Sequence, residues 1–171
     1  MNSLITGKIN IMKKLLLLIS ASLIICACEP GHIIDYDYTI INNSGKTVTI
    51  IPYVNGNKDL QNAIKLNQGD KINKKYRYTP PGGAGYSMSN LLPNNSGYVA
   101  FVYDNDKIDV FSIYSEQCTN CPTISNNSFG IKYSENNRNP FNSQFSNETN
   151  EVYYITPEDY QNATDCGGNC N

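Results

Sequence analysis

The sequence predicts an all-β fold, a mainly antiparallel β-sandwich of about seven or eight strands with one short C-terminal helix. Short runs of β-branched and aromatic residues recur between turn residues every eight to twelve positions. Asn occurs repeatedly in pairs at the ends of these runs, where its tolerance of left-handed geometry suits turns. Only one segment, near the C-terminus, carries a helix-start signature.

Residues 1–27 have the pattern of a lipoprotein-type signal peptide. Lys13 and Lys14 precede an apolar run at residues 15–25, which is too short to span a bilayer as a stable helix. A second possible start, Met12, begins a complete signal of its own, so the sequence leaves Met1 and Met12 open as the true start.

The end of this leader, Ile-Cys-Ala-Cys, predicts lipidation at Cys28. Ala27 is the small residue that a signal peptidase needs before its cut, and Cys28 would then accept the diacylglycerol. Cys26 follows the bulky Ile25 and fits less well, and cleavage without lipid is a further alternative. Two or more acyl chains would hold the chain stably on a bilayer, with residues 28–35 as a tether.

Charge argues against one class of partner. From Cys28 the chain has 144 residues, enough for one domain, with 10 basic and 15 acidic side chains. A net charge of −5 without a basic cluster gives no electrostatic reason to bind nucleic acid. We therefore expect no nucleic-acid partner.

The first two strands are predicted at 36–42 and 47–54, joined as a hairpin by the Asn-Ser-Gly-Lys turn at 43–46. Pro52 lacks an N–H to donate to a strand ladder, which indicates an edge strand or a bulge.

A second pair is predicted at 60–66 and 71–78, flanking a turn at 67–70. Residues 79–97 are rich in Pro and Gly without any period and are predicted as a long loop.

Residues 98–103, Tyr-Val-Ala-Phe-Val-Tyr, are apolar on both faces and predict a central strand. The turn 104–106 leads into 107–114, which predicts a hairpin. A cysteine-bearing loop and a short strand near 129–133 follow.

The last elements are a strand at 151–155 and a helix starting within 156–163. Thr156 is the predicted N-cap and Asp159 the acid of a capping box, while Gly167 is a suitable stop. The predicted domain spans 36–165, and residues 166–171 form a cysteine-containing tail.

The lipobox, the Ile-Ile-Asn-Asn-Ser-Gly segment and the closing Val-Tyr-Tyr-Ile-Thr-Pro-Glu-Asp-Tyr-Gln-Asn-Ala resemble a group of small β-rich envelope lipoproteins of Bacteroidota. The likeness covers most of residues 28–165. It implies a β-rich fold and an outer-membrane location, periplasmic or surface-facing, and it carries over no active-site residue. The cysteine-rich loop and tail lie outside that pattern.

Four further cysteines come as two close pairs, Cys118 with Cys121 and Cys166 with Cys170. The spacing is compatible with a zinc site of four thiolates or with two disulfides. An exported chain meets an oxidising compartment, which favours disulfides, and sequence leaves their three connectivities open. Redox work by Cys118 and Cys121 is a weaker alternative, because that motif normally begins a helix.

Other catalytic or metal-binding constellations are weak. The single histidine, His32, lies in the tether, so no triad has a base inside the domain. Asp104, Asp106 and Asp109 could surround calcium, but no downstream glutamate completes the loop and a hairpin turn is the simpler reading.

Paired carboxylates for glycoside hydrolysis are not marked by any pattern, although the acids needed are present. Among thirteen tyrosines, Tyr86 and Tyr160 are the candidates for exposed ligand-stacking side chains.

The sequence thus predicts a non-enzymatic envelope lipoprotein that acts as a binding or structural accessory module, with a protein or glycan partner. If so, loops 79–97 and 115–128 should present an exposed apolar or aromatic patch. A metal or thiol protein using the four downstream cysteines, and a carbohydrate hydrolase, are the alternatives.

Overall fold

The computed structural model describes residues 31–79, 85–93, 97–125 and 127–170, and it confirms the all-β prediction. All strands lie in one unit, Ile34–Tyr78 with Gly83–Asn171, and form two sheets. The strands are β1 (Ile34–Asn42), β2 (Val48–Val54), β3 (Asn57–Lys58), β4 (Ile64–Leu66), β5 (Lys71–Tyr78), β6 (Tyr98–Tyr103), β7 (Lys107–Ser112), β8 (Ile131–Lys132), β9 (Asn150–Ile155) and β10 (Thr164–Asp165). Within the described residues the one α-helix, α1, spans Pro157–Asn162.

The small sheet has the order β5-β1-β9, with β1 antiparallel to β5 and parallel to β9. Side chains alternate along β1 as the pleat requires: Tyr38 and Ile40 are buried, whereas Asp35 is exposed on the opposite face.

The large sheet has the order β10-β7-β6-β2-β3, with β4 also paired to β2 and β8 parallel to β7. All six residues of β6 are buried, which confirms the prediction of a central strand at 98–103. Such a strand has neighbours on both sides and covered faces above and below.

The main core fills the space between the sheets. Tyr38, Ile40 and Tyr153 from the small sheet meet Ile50 and Phe101 from the large one. The rings of Phe101 and Tyr153 lie 6.4 Å apart in an edge-to-face arrangement. These contacts make the two sheets a sandwich.

A second core covers the other face of the large sheet. Ile51, Ala100, Val102 and Val110 are buried there beneath the cysteine-bearing segments, with Cys170 fully buried among them. The large sheet is therefore apolar on both faces.

The predicted hairpin of 36–42 with 47–54 is wrong, because β1 and β2 belong to different sheets. The turn between them crosses the sandwich. Buried Asn42 donates its side-chain Nδ2 to the carbonyls of Lys46 (2.7 Å) and Leu66 (2.9 Å), which fixes the chain as it crosses. The residues at 43–46 form a turn, but a turn sequence does not show which sheet the next strand joins.

The predicted pairing of 60–66 with 71–78 is wrong for the same reason: β4 pairs with β2, and β5 pairs with β1. Pro52 lies in an interior strand, not at an edge. Its carbonyl accepts from the N–H of Asp59, at the break where a single 3₁₀ turn, Leu60–Asn62, separates β3 from β4. The missing donor of Pro52 thus falls where the ladder is interrupted.

The local predictions near the C-terminus are confirmed. β6 and β7 form the expected hairpin, and Thr156 caps α1 with Asp159 completing the capping box. The helix ends at Asn162, so Gly167 is not its stop; it lies at φ +57° in a turn after β10. Within the ranges given above, no helix is long and apolar enough to cross a bilayer.

Candidate functional site

A cleft of about 350 Å³ opens on the outer side of the large sheet, between the loop that precedes β8 and the C-terminal tail. Its volume lies at the lower end of the range for small-ligand sites. The lining combines amides, hydroxyls, two aromatic rings and one ammonium group: Tyr53, Asn57, Lys58, Ser125, Asn127, Ser128, Phe129 and Asn169.

The floor of the cleft is the β2–β3 hairpin. Its two-residue turn, Asn55 and Gly56, has φ angles of 49° and 79°, the left-handed geometry that an Asn-Gly turn favours. The loop packs directly on this turn: Ser125 N–H donates to the Gly56 carbonyl at 2.8 Å. A Cβ at Gly56 would lie 2.7 Å from the carbonyl oxygen of Thr123, so only glycine permits this approach.

Lys58 is the charged group of the cleft. Its ammonium donates to the backbone carbonyl of Cys170 and lies 5.7 Å from the centre of the Phe129 ring. Burial lowers the pKa of Lys58. Burial also raises the pKa of the neighbouring Tyr53 to about 12, so its phenol stays protonated at neutral pH.

The loop wall is held by its own hydrogen bonds. Asn127 donates its side chain to the Phe129 carbonyl at 2.7 Å, and Tyr98 donates its hydroxyl to the Pro122 carbonyl at 2.7 Å. Ser128 and Asn169 are exposed at the rim. Amide and hydroxyl groups both donate and accept hydrogen bonds, which suits a ligand rich in hydroxyl groups.

The two cysteine pairs form local disulfides. Cys118 joins Cys121 and Cys166 joins Cys170, with Cα–Cα distances of 5.6 and 5.2 Å. The structure therefore chooses the local connectivity among the three that sequence leaves open. The four cysteines lie as two separate pairs, and the described segments contain no cluster of three or more His, Cys, Asp or Glu side chains placed to hold a metal.

The second disulfide belongs to the segment that closes the cleft. Two hydrogen bonds fix this tail to the β6–β7 turn: the Cys166 N–H donates to the Asp106 carbonyl at 2.9 Å, and the Asn105 side-chain Nδ2 donates to the Gly168 carbonyl at 2.8 Å. Cys28, the predicted lipid carrier, lies outside the described residues.

A buried ion pair lies on the opposite side of the large sheet. Asp109 is 2% exposed and contacts the Lys132 ammonium at 2.6 Å, while Tyr103 donates its hydroxyl to Asp109 at 3.2 Å. Burial raises the pKa of Asp109 more strongly than the hydrogen bond and charge of Lys132 lower it. The pair joins β7 to β8 inside the sandwich.

Asp159 has a second partner that the capping prediction missed. Arg138 contacts both carboxylate oxygens, at 2.8 and 2.6 Å, and donates to the Tyr154 carbonyl at 2.9 Å. These hydrogen bonds raise the pKa of Arg138. Nothing in the spacing of the two residues indicates this contact, because they lie 21 positions apart.

The three aspartates considered for calcium do not converge. Asp104 accepts from the N–H of Thr47 at 3.0 Å, and Asp106 accepts from the hydroxyl of Tyr160 at 2.9 Å. Asp109 instead points into the interior. The simpler reading, a hairpin turn, describes Asp104 and Asp106.

The predicted stacking tyrosines behave differently from expectation. Tyr86 is buried, 7% exposed, in a cluster with Tyr36, Tyr38 and Tyr76, so its proposal as an exposed side chain is wrong. Tyr160 is half-buried, and His32 is exposed before β1. In the described parts of loops 79–97 and 115–128, the larger apolar side chains pack inward, so the expected exposed patch is absent there.

Sequence reasoning missed the cleft. Its one available signal was the Asn-Gly dipeptide that follows 47–54, which predicts a hairpin and hence a strand carrying Lys58. The approach of the tail and the loop to that hairpin has no counterpart in the sequence.

No protein-family model matches the chain, and no curated protein and no solved structure matches it either.

Proposed function

We propose that this chain is an outer-membrane lipoprotein of a bacterial envelope, attached through acylated Cys28, whose sandwich is a binding or structural accessory module rather than an enzyme. The lipobox supports attachment and export. The two disulfides of the sandwich accord with export, because such bonds persist in oxidising compartments.

The observation that carries the binding role is the cleft beside Lys58. Its walls are two segments held by disulfides or hydrogen bonds, and its floor is a tight hairpin, so it is formed before a ligand arrives. A preformed site costs less ordering entropy on binding. We propose a polar, hydroxyl-rich ligand such as a glycan segment.

Attachment is tested by metabolic labelling with an alkyne fatty acid, followed by intact-mass measurement of the envelope protein. We expect the wild type and Cys26→Ala to be labelled and Cys28→Ala to be unlabelled. Equal labelling of Cys28→Ala would overturn the anchor.

Binding is tested on a glycan array with Ser128→Ala and Asn169→Ala combined, because both side chains are exposed at the rim and their loss should not disturb folding. Lys65→Ala, exposed on β4 away from the cleft, is the matched control. We expect the double variant to lose about tenfold in affinity, as losing two hydrogen bonds predicts, and the control to bind as the wild type does. No glycan bound by the wild type would overturn this ligand class.

A further inference from the structure

Basic residues are concentrated on one edge strand. β5 carries four of the ten Lys and Arg residues that follow Cys28, namely Lys71, Lys74, Lys75 and Arg77. β1, its neighbour, contributes Asp35 and Asp37, so the strand pair has a net charge of +2 and the remainder of the mature chain carries −7. Positive charge is thus concentrated on this strand pair, whereas the rest of the mature chain has a negative net charge.

The end of this strand lies beside the start of the domain. In the antiparallel register Ile34 faces Tyr78, Asp35 faces Arg77 and Asp37 faces Lys75. Ile34 lies six positions after Cys28, and six steps of 3.3–3.6 Å span at most about 20 Å. A lipid on Cys28 would therefore hold this end of β1 and β5 within about 20 Å of its bilayer.

An aromatic side chain lies on the same outer face as these charges. Tyr154 of β9 is 47% exposed and pairs with Ile41, whose other neighbour is Lys71 of β5. Tyrosine favours the headgroup region of bilayers, where its ring is shielded and its hydroxyl stays hydrated.

We propose that the outer face of the small sheet at its β5 edge is a membrane-facing surface, which docks on anionic lipid headgroups through Lys71, Lys75 and Arg77. This orientation rests on the proposed attachment at Cys28. It leaves the cleft of the large sheet for other ligands.

The ion pairs on this surface do not oppose docking. Arg77 contacts Asp35 at 2.6 Å and Lys75 contacts Asp37 at 3.2 Å, but the basic side chains are 68% and 76% exposed. Pairs so exposed contribute little, and their cations can reach phosphates in addition to carboxylates. Lys71 adds a charge for which no ion pair is found in the described ranges.

The test attaches the mature chain chemically, so that it does not depend on lipidation in the cell. The Cys28 thiol is coupled to a maleimide lipid, since the other four cysteines are in disulfides. Lysine acetylation is then followed by mass spectrometry on phosphatidylcholine vesicles with and without about 30% phosphatidylglycerol. We expect anionic lipid to slow acetylation of Lys75 about fivefold, and about 1 M salt to abolish the effect.

Two controls make the outcome decisive. Lys65, exposed on β4 of the other sheet, should react equally on both vesicles, and Arg77→Gln should weaken the protection of Lys75 whereas Lys65→Gln should not. Equal reactivity of Lys75 on both vesicles would overturn the proposed membrane-facing surface, even if fatty-acid labelling of Cys28 succeeds. Protection seen only in whole envelopes would also overturn it, because the partner would then be another envelope polymer.

Discussion

The two sheets of the sandwich differ in how many of their faces are buried. The large sheet buries both faces, one against the small sheet and one beneath the cysteine-bearing loop and tail. The small sheet buries one face only, and its other face carries Asp35, Lys75 and Arg77 together with the half-exposed Tyr154.

The difference shows where this chain needs cross-links. Apolar side chains such as Ile51 and Val110 on the second face are covered by irregular segments, which lack the ladder hydrogen bonds of a third sheet. Disulfides reduce the freedom of such segments in the unfolded chain. The small sheet has no such cover, and its outer face carries charged side chains such as Lys75 and Arg77 beside the exposed Val152 and Tyr154.

The largest difference between the sheets is expected from truncating buried and exposed aromatic residues. Phe101→Ala removes a ring from between the sheets and should lower the free energy of unfolding by about 4 kcal/mol. Tyr154→Ala on the outer face of the small sheet should have no measurable effect. Urea denaturation followed by circular dichroism measures both, and equal losses would contradict the assignment of the two faces.

Ion pairs should show the same contrast on a smaller scale. Asp109→Ala leaves Lys132 without its buried partner and should lower the free energy of unfolding by about 3 kcal/mol, whereas Asp35→Ala removes a largely exposed pair and should change nothing measurable. The same denaturation experiment distinguishes them. A cost for Asp35→Ala as large as that for Asp109→Ala would contradict the contrast.

The pH dependence of the Asp109 effect has a definite sign. Because burial raises its folded-state pKa above the ordinary value of 3.8, the folded chain binds the proton at a higher pH than the unfolded chain does. Stability from this group therefore increases as the pH falls from above the raised pKa towards 3.8, and it decreases as the pH rises. We expect the destabilisation by Asp109→Asn to be larger near pH 4 than at pH 7; a pH-independent difference would contradict it.

The two disulfides should contribute different amounts to the free energy of unfolding, because their segments cover different parts of the domain. In the chain-entropy treatment each local bridge contributes about 2 kcal/mol. Replacing Cys166 and Cys170 by serine should lower the free energy of unfolding by more than this value, because Cys170 is fully buried on the second face. Cys118, by contrast, is exposed. Thermal unfolding of the two double variants measures both losses of stability. A larger loss for the Cys118 and Cys121 pair would contradict the prediction that the C-terminal disulfide contributes more.

The smallest effect is expected at the helix cap. Thr156→Ala removes the side-chain acceptor of the Asp159 N–H and should cost about 1 kcal/mol. Thr156→Ser keeps that oxygen and is the control. Equal stability of the Ala and Ser variants in urea would show that the cap contributes nothing here.

Local features were predictable from sequence, and distant ones were not. The β6–β7 hairpin and the Thr156 cap are decided within a few residues by turn chemistry and side-chain reach. The partners of β1, by contrast, depend on which sheet each strand joins, and the same alternating pattern fits either sheet. The cleft is harder still, because Lys58 meets Cys170 across 112 positions of sequence.

The parallel pairing of β1 with β9 has a consequence for the timing of folding. Asp37 pairs with Asn150, so the small sheet cannot be completed before β9 has been synthesised, although β1 can pair with β5 earlier. Contacts so distant in sequence slow folding, because a long loop must close before they form. If the chain is exported from its N-terminus, as proposed above, the small sheet would thus stay incomplete until β9 has been translocated.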